Sequence, residues 1–212
     1  MTLESSTYFS HAYTSNSDLS KLAQELSGTD AFNYAQAQKM GTLIHALLLE
    51  PHTVDLIRNR VGNIEYTPEE MKQGRLLSVY TKNYALCRNL IDQCDKEVEV
   101  YTESVSFEYN GIAFTLDCRC KYDFKKHGVG GDFKTTTATS MKQFLEEIER
   151  FQYHRARVFY SKVSGIQKDV IIGINKKYKG IFPVFMEPSG ELWKRGEELM
   201  NELAFKFWML KG

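Results

Sequence analysis

The stretch KEVEVYTESVSFEYNGIAFTLDCRCKYDFKKHGVGGDFKTT, residues 96–136, decides the fold. Its first part, residues 96–109, sets Val98 and Val100 between Glu97, Glu99 and Tyr101, a period-two pattern that predicts a strand. Asn110-Gly111 follows, a dipeptide suited to the tight hairpin turn in which both central residues take positive φ. Residues 111–124 return with Ile112, Phe114, Leu116, Cys118, Cys120 and Tyr122 on one face. KKHGVGG reads as a loop, and DFKTTT begins a third strand or continues one started at Val129.

On either side of this block the period changes. SNSDLSKLAQEL, residues 15–26, offers Ser, Asn and Asp as caps, then Leu19, Leu22 and Leu26 at helical spacing. NYAQAQKMGTLIHALLLEP, residues 33–51, predicts a stronger helix stopped near Pro51. In YTPEEMK, Thr67 is the N-cap, Pro68 the first helical residue, and Glu69 and Glu70 fill the first turn. That helix is expected to reach about Cys94. Residues 140–165 have helical spacing at Phe144, Ile148, Phe151, Arg155 and Val158, with Gly165 as the terminating residue. DVIIGINKK and KGIFPVFME predict two more strands, and SGELWKRGEELMNELAFKFWML a closing amphipathic helix. The order gives an α/β fold with a mixed central sheet flanked by helices. No repeat or flexible linker interrupts it, so residues 1–212 are read as one domain.

Composition narrows the function. Lys and Arg number 27 against 27 Asp and Glu, which excludes a basic coat over the whole surface but leaves room for a local basic groove. No apolar run is long enough to span a bilayer, and the start, MTLESSTYFSHAYTSNSD, has neither a basic nor an apolar leader region. The protein is therefore expected to stay where it is made, without a membrane. Cys87, Cys94, Cys118 and Cys120 contain no C-x-x-C spacing, which favours buried small hydrophobes over a metal or iron–sulfur cluster.

The chemistry lies in YDFKKHGVGGDFKTT. Residues two apart on a strand point the same way, so Asp132 and Lys134 share a face and Phe133 takes the other. A hairpin between the two strands brings Asp123 beside Asp132. Two converging carboxylates are costly unless a cation lies between them, and oxygen ligands suit a hard divalent ion such as Mg²⁺ or Mn²⁺. A lysine there can orient water and balance charge on a phosphate. The bland alternative is a charge pair at a strand end.

GTLIHALLLEP (residues 41–51), CRCKYDF (118–124), GDFKTT (131–136) and FQYHRARVFYS (151–161) occur in the order found in exonuclease VIII (RecE)-like phage recombination nucleases. By this resemblance the chain is similar to members of the PD-(D/E)xK superfamily, whose restriction-endonuclease-like core has the same order of elements. The resemblance implies a metal set of His45, Asp123, Asp132 and the Phe133 carbonyl, with Lys134 as the catalytic lysine beside Asp123 and Asp132. It implies a Mg²⁺- or Mn²⁺-dependent 5′–3′ exonuclease on double-stranded DNA ends. The setting implied is phage or prophage recombination in a bacterial cytoplasm, with a single-strand annealing partner and a homo-oligomeric assembly. Gly41 and Glu50 match positions read as structural, Gly41 as permitting close packing.

One position departs from that pattern. The family carries Gln four residues before the tyrosine of the helix after D-x-K; here the tyrosine is Tyr160 and the position holds Ala156. Arg155, Arg157 and Tyr160 are candidate DNA contacts, although helical geometry allows at most one of the arginines to face the site. The alternatives are a catalytically impaired nuclease fold that binds DNA or a partner, and a nicking or endonucleolytic relative. His45 alone, among Leu43, Ile44, Leu47, Leu48 and Leu49, reads as a satisfied core histidine rather than a ligand. His154 is either a DNA contact or part of a solvated face, and Arg119, Lys121, Lys125 and Lys126 either a phosphate track or a solvated edge. Asp117 lies on the same strand as Asp123, but the CRCKYD frame selects Asp123.

Overall fold

A computed structural model describes residues 12–28, 35–126 and 128–211. Helix α1 (Asn16–Ser27) starts at a capping box in which Ser15 Oγ accepts the Asp18 N–H and the Asp18 carboxylate accepts the Ser15 N–H. Gly28, at φ +61°, ends it in the left-handed conformation. Helix α2 (Ala35–Leu49) buries Leu43, Ile44, Leu48 and Leu49. Asn33 and Tyr34, expected to open it, and His127 of the KKHGVGG loop lie outside the described residues.

A 3-10 turn (Pro51–Thr53) leads into a small antiparallel sheet of β1 (Val54–Asp55), β2 (Arg60–Val61) and β3 (Ile64–Glu65). Two-residue strands carry no periodicity, so nothing in the sequence pattern announced them. Helix α3 (Pro68–Asn83) begins with the Thr67–Glu70 capping box. It does not run on to Cys94. Tyr84 is extended at φ −79°, ψ 118°, and a separate α4 (Ala85–Gln93) follows. The break comes after Thr81 and Asn83, both weak helix formers, with no Gly or Pro to mark it.

Strands β4 (Asp95–Tyr109) and β5 (Ile112–Lys126) form the hairpin around Asn110-Gly111. A bulge lies between Thr102 and Val105, where Ser104 sits at φ +52° and its N–H donates to Asp117 Oδ1 at 2.8 Å. The bulge shifts the inward phase from Val98 and Val100 to Val105 and Phe107, so all four turn toward the core. Strand β6 (Val129–Thr136) pairs antiparallel with β5 and parallel with β7 (Lys168–Asn175); β8 (Ile181–Met186) closes the sheet antiparallel to β7. The order β4-β5-β6-β7-β8 is the expected mixed sheet.

The crossover from β6 to β7 is two helices, α5 (Met141–Arg150) and α6 (Tyr153–Ser164), where one was expected. Gln152 at φ +53° separates them. Helix α7 (Glu191–Lys211) packs on α6 through Gly196, where an added Cβ would lie 2.8 Å from the His154 carbonyl oxygen.

Helices therefore cover both faces. Phe124, Phe133, Val170 and Ile172 pack with Ile44 and Leu48 of α2 and Leu77 of α3. Cys118, Cys120, Tyr122 and Ile171 pack with Leu19 of α1, Val158 of α6 and Met200 of α7. Ile112, expected on the inward face, is 45% exposed at the hairpin tip. Among the described residues no helix is long and apolar enough to cross a membrane.

Strand β5 crosses β6 closely because β6 has no side chains there. A Cβ on Gly131 would fall 2.2 Å from the Phe124 ring and 2.7 Å from the Val170 carbonyl oxygen. The backbone oxygen cannot move aside, so Gly131→Ala is expected to lower stability by about 1–3 kcal/mol in urea unfolding. An unchanged midpoint would mean that Phe124 is not seated over β6.

Candidate active site

The β5–β6 ladder stops at Phe124↔Gly131. One step further, Asp123 Oδ2 accepts the Phe133 N–H at 2.6 Å in place of a backbone carbonyl. The Phe133 carbonyl meets His45 Nε2 at 2.8 Å, and the same nitrogen lies 3.3 Å from Asp123 Oδ2. A histidine on α2, a carboxylate on β5 and a carbonyl on β6 thus meet at the fork between two strands. Asp132 and Lys134 share the other face of β6 and form an ion pair, and the Lys134 ammonium stands 5.4 Å from the centre of the Tyr153 ring.

The carboxylates are buried, at 8% exposure for Asp123 and 7% for Asp132. Burial, and then the charge of Asp132, push the Asp123 carboxyl up to about 6. Asp132 goes the other way: burial opposes its charge, but Lys134 and Arg157 outweigh it and hold the carboxyl below its usual range. Burial likewise opposes the charge on Lys134, and Asp132 and Asp123 overcome it, keeping the ammonium protonated. His45 is raised in the same sense: burial opposes its charge, but Asp123, Asp132 and the Phe133 carbonyl together outweigh it.

The sequence reading missed Glu97. Counted back from the Asn110-Gly111 turn without a bulge, Val98 would stand opposite Asp123. The bulge moves the register by one, and the pairs Lys96↔Phe124 and Val98↔Tyr122 bracket Glu97 and Asp123. Donor atoms of His45, Glu97 and Asp123 then lie within 4.8 Å of one another. The phase change from Val98 and Val100 to Val105 and Phe107 was the available signal. Imidazole and carboxylate donors fit a hard divalent ion, and Asp123, raised by its surroundings, is a carboxylate that a cation would stabilise. Asp132 stands apart from this cluster, its carboxylate directed to Lys134 and, at 3.7 Å, Arg157.

Several further expectations need correction. Arg157 is 2% exposed; its Nε and Nη2 donate to Asp169 at 2.8 and 2.9 Å, and its guanidinium lies over the Tyr122 and Tyr160 rings. It is a buried strut, not a surface contact for DNA. Tyr160 is half-buried, edge-on to Tyr122 and with the Arg157 guanidinium over its ring. Arg155 is also buried but borders the cleft. Of the two arginines only Arg155 borders the cleft, as the helical spacing allows, and both are buried because α6 is covered on both sides. His154 is neither solvated nor exposed to a ligand: it is fully buried, with Nδ1 3.2 Å from the Ile148 carbonyl oxygen.

Arg119 is buried 3.6 Å from Asp18, and Lys121 pairs with Glu97 at 2.8 Å, so these two form no phosphate track. A Cβ on Gly41 would stand 3.7 Å from Thr135 Oγ1, an ordinary contact, so close packing does not require glycine there. Glu50, read as structural, lines the cleft. The four cysteines are free, and burial pushes the thiols of Cys87, Cys118 and Cys120 up to about 12.

His45, Glu97, Phe133 and Lys134 open onto one cleft of about 1530 Å³, which runs between α1, α2, β6 and the α5–α6 corner. That is more room than a small metabolite needs.

The fold has solved counterparts. The crystal structure of a "Putative exonuclease" from Eubacterium rectale superposes with a TM-score of 0.64 over 98% of this chain and 86% of that one, at 14% identity. A phage related exonuclease from Haemophilus somnus 129PT aligns at a TM-score of 0.39, over 95% of this chain and 97% of that one, at 13% identity. At such identities the likeness is one of fold. No protein-family profile matches the sequence, and no curated protein does.

The Arg157–Asp169 pair carries a stability test. Asp169→Ala leaves a guanidinium buried without its bidentate partner and is expected to cost about 3–5 kcal/mol in urea unfolding. Replacing both, as Arg157→Met with Asp169→Leu, is expected to recover most of that loss. Equal losses in the single and double variants would show that the pair does not act as a unit.

Proposed function

We propose that this chain is a metal-dependent deoxyribonuclease with a PD-(D/E)xK core, acting as a RecE-like 5′–3′ exonuclease on double-stranded DNA ends. The observation that carries this reading is the meeting of His45, Asp123 and the Phe133 carbonyl beside the Asp132–Lys134 pair, at a cleft lined by His45, Phe133 and Lys134. The fold shared with the Eubacterium rectale protein, named for exonuclease activity, supports it.

His45, Asp123 and the Phe133 carbonyl, with Glu97 added, are the residues to hold Mg²⁺ or Mn²⁺, while Asp132, which the resemblance counts with them, stands beside them on Lys134. When bound, such an ion supplies a polarised water and stabilises charge developing on a phosphate. Asp132 keeps Lys134 protonated and fixed on the cleft wall. Lys134 then offers its N–H groups to a phosphate oxygen or to the leaving group without reorganising. His45 gains its orientation from the Phe133 carbonyl, and Asp123 gains its own from the Phe133 N–H. A setting in phage recombination, a single-strand annealing partner, a homo-oligomer and a cytoplasmic location are proposed on the resemblance alone.

Asp123→Asn removes a ligand charge, and Asp132→Asn removes the charge that keeps Lys134 protonated, each with little change of volume. Both are expected to abolish Mg²⁺-dependent degradation of end-labelled linear duplex while the circular dichroism spectrum is retained. Glu97→Gln is expected to raise the Mg²⁺ concentration required. Lys134→Ala is expected to lower kcat far more than it raises KM. Near-normal turnover in both Asp variants would overturn the assignment, and equal losses of binding and turnover would make Lys134 a phosphate anchor. Cleavage of circular duplex would show an endonucleolytic or nicking relative.

Ala156 favours a second reading, an impaired nuclease fold that binds DNA or a partner. The residue lies between Tyr153 and Tyr160 at helical spacing, on the side where Tyr153 meets Lys134 and Arg157 meets Asp132. Arg157 is held by Asp169 and Arg155 by Ser20, so neither has taken the place of a glutamine side chain. Ala156→Gln is therefore expected to fold normally and to keep or raise the single-turnover rate. A folded variant with a lower rate would mean that α6 does not present this position to the site.

A further inference from the structure

The connection from β7 to β8, residues 176–180, reads Lys-Lys-Tyr-Lys-Gly, three lysines and no acid in a chain of zero net charge. It is a braced turn. Asn175 is 1% exposed; its Oδ1 accepts the Lys177 and Lys179 N–H groups at 2.7 and 3.1 Å, and its Nδ2 donates to the Ala138 carbonyl oxygen at 2.6 Å. Tyr178, at φ +60°, stands edge-on to Tyr80 of α3, and its hydroxyl donates to the Gln73 carbonyl oxygen. A tyrosine in the left-handed region is strained, and these contacts on α3 offset the strain.

Lys177 and Lys179 are exposed and Lys176 is half-buried. Among the described residues no ion pair engages any of the three, in contrast to Lys134 and Lys121. Glu147, the carboxylate whose charge acts on Lys176, is taken by the hydroxyls of Thr136 and Thr137. Burial pulls the Lys176 ammonium below its ordinary value against that charge.

The turn adjoins the cleft, and Lys176 lines it together with His45 and Lys134. The Lys176 N–H donates to the Thr136 carbonyl oxygen at 3.0 Å, and Thr136 is two residues along β6 from Lys134, about 7 Å at the rise of a strand. Each strand of duplex DNA carries a phosphate about every 3.4 Å of helix axis, so over this distance it offers further phosphates.

We propose that the β7–β8 turn is a clamp for a phosphodiester backbone, in which Lys176, Lys177 and Lys179 hold the flank of a strand whose reacting phosphate lies at Lys134. That the strand is DNA rests on the nuclease reading.

The test is the binding of a fluorescently labelled blunt duplex by the full chain in EDTA, followed by anisotropy over a series of salt concentrations. Lys177→Gln combined with Lys179→Gln is expected to weaken binding about fivefold or more at low salt, and to make the slope of log Kd against log salt shallower by about 2. Lys176→Gln is expected to remove about one unit more. Arginine at positions 177 and 179 is expected to keep both affinity and slope. The single-turnover rate at saturating duplex with Mg²⁺ is expected to be unchanged in the Lys177→Gln, Lys179→Gln variant. Unchanged affinity and slope in the glutamine variants, equal loss in the arginine variant, or absence of duplex binding by the unaltered chain overturns the clamp. Degradation of DNA with binding unaltered by these changes would overturn the clamp alone. Lysine-dependent binding by a chain that degrades no DNA would overturn the nuclease reading and leave the clamp standing.

Discussion

Where β5 and β6 separate, the Phe133 N–H must find an acceptor, and Asp123 provides it. A buried backbone donor without a partner is costly, so the carboxylate is held in place by the same requirement that builds the sheet. The carbonyl of the same residue turns to His45 and ties α2 to the fork. Phe133 itself packs into the opposite layer against Phe124 and Ile172, so its backbone is anchored from the far side of the sheet. The site therefore rests on a strand edge that cannot shift without disturbing the core.

The second constraint is charge. Asp123, Asp132 and Asp169 are all buried near Lys134 and Arg157, so no single charge on this face of the sheet is independent of the others. Arg157 joins the two ends, bidentate to Asp169 on β7 and close to Asp132 on β6. Held in this way, Asp132 stays ionised and keeps Lys134 charged, while Asp123, facing His45 and lacking an arginine, is pushed toward the neutral form. Two carboxylates nine residues apart in sequence thus differ in character because Lys134, and then Arg157, act on Asp132, while burial and the charge of Asp132 itself act against Asp123.

Much of this was legible in the sequence, and the rest had identifiable reasons to be hidden. The Asn110-Gly111 hairpin, the D-x-K strand and the caps at Ser15 and Thr67 are local signals, each carried by a few adjacent residues. Glu97 was hidden because its placement depends on a bulge, and register is a property of two strands at once. The break at Gln152 was hidden because a non-glycine residue at positive φ leaves no mark in hydrophobic spacing. Asp169 read as the polar start of an apolar strand. Its role as partner of Arg157 exists only because β7 lies parallel to β6, with Gly130 opposite it.

Helix α6 shows how one element can serve both constraints. Its two arginines are equally inaccessible to water, and a count of exposed basic residues would dismiss both. Their surroundings separate them: Arg157 faces the sheet, where Asp169 satisfies it, and Arg155 faces α1, where among the described residues Ser20 Oγ is its one hydrogen-bond partner. In a chain of zero net charge, attraction for a polyanion cannot come from the surface as a whole. What each arginine contributes to this face of the molecule is set by its pairing, and not by the number of basic residues in the helix.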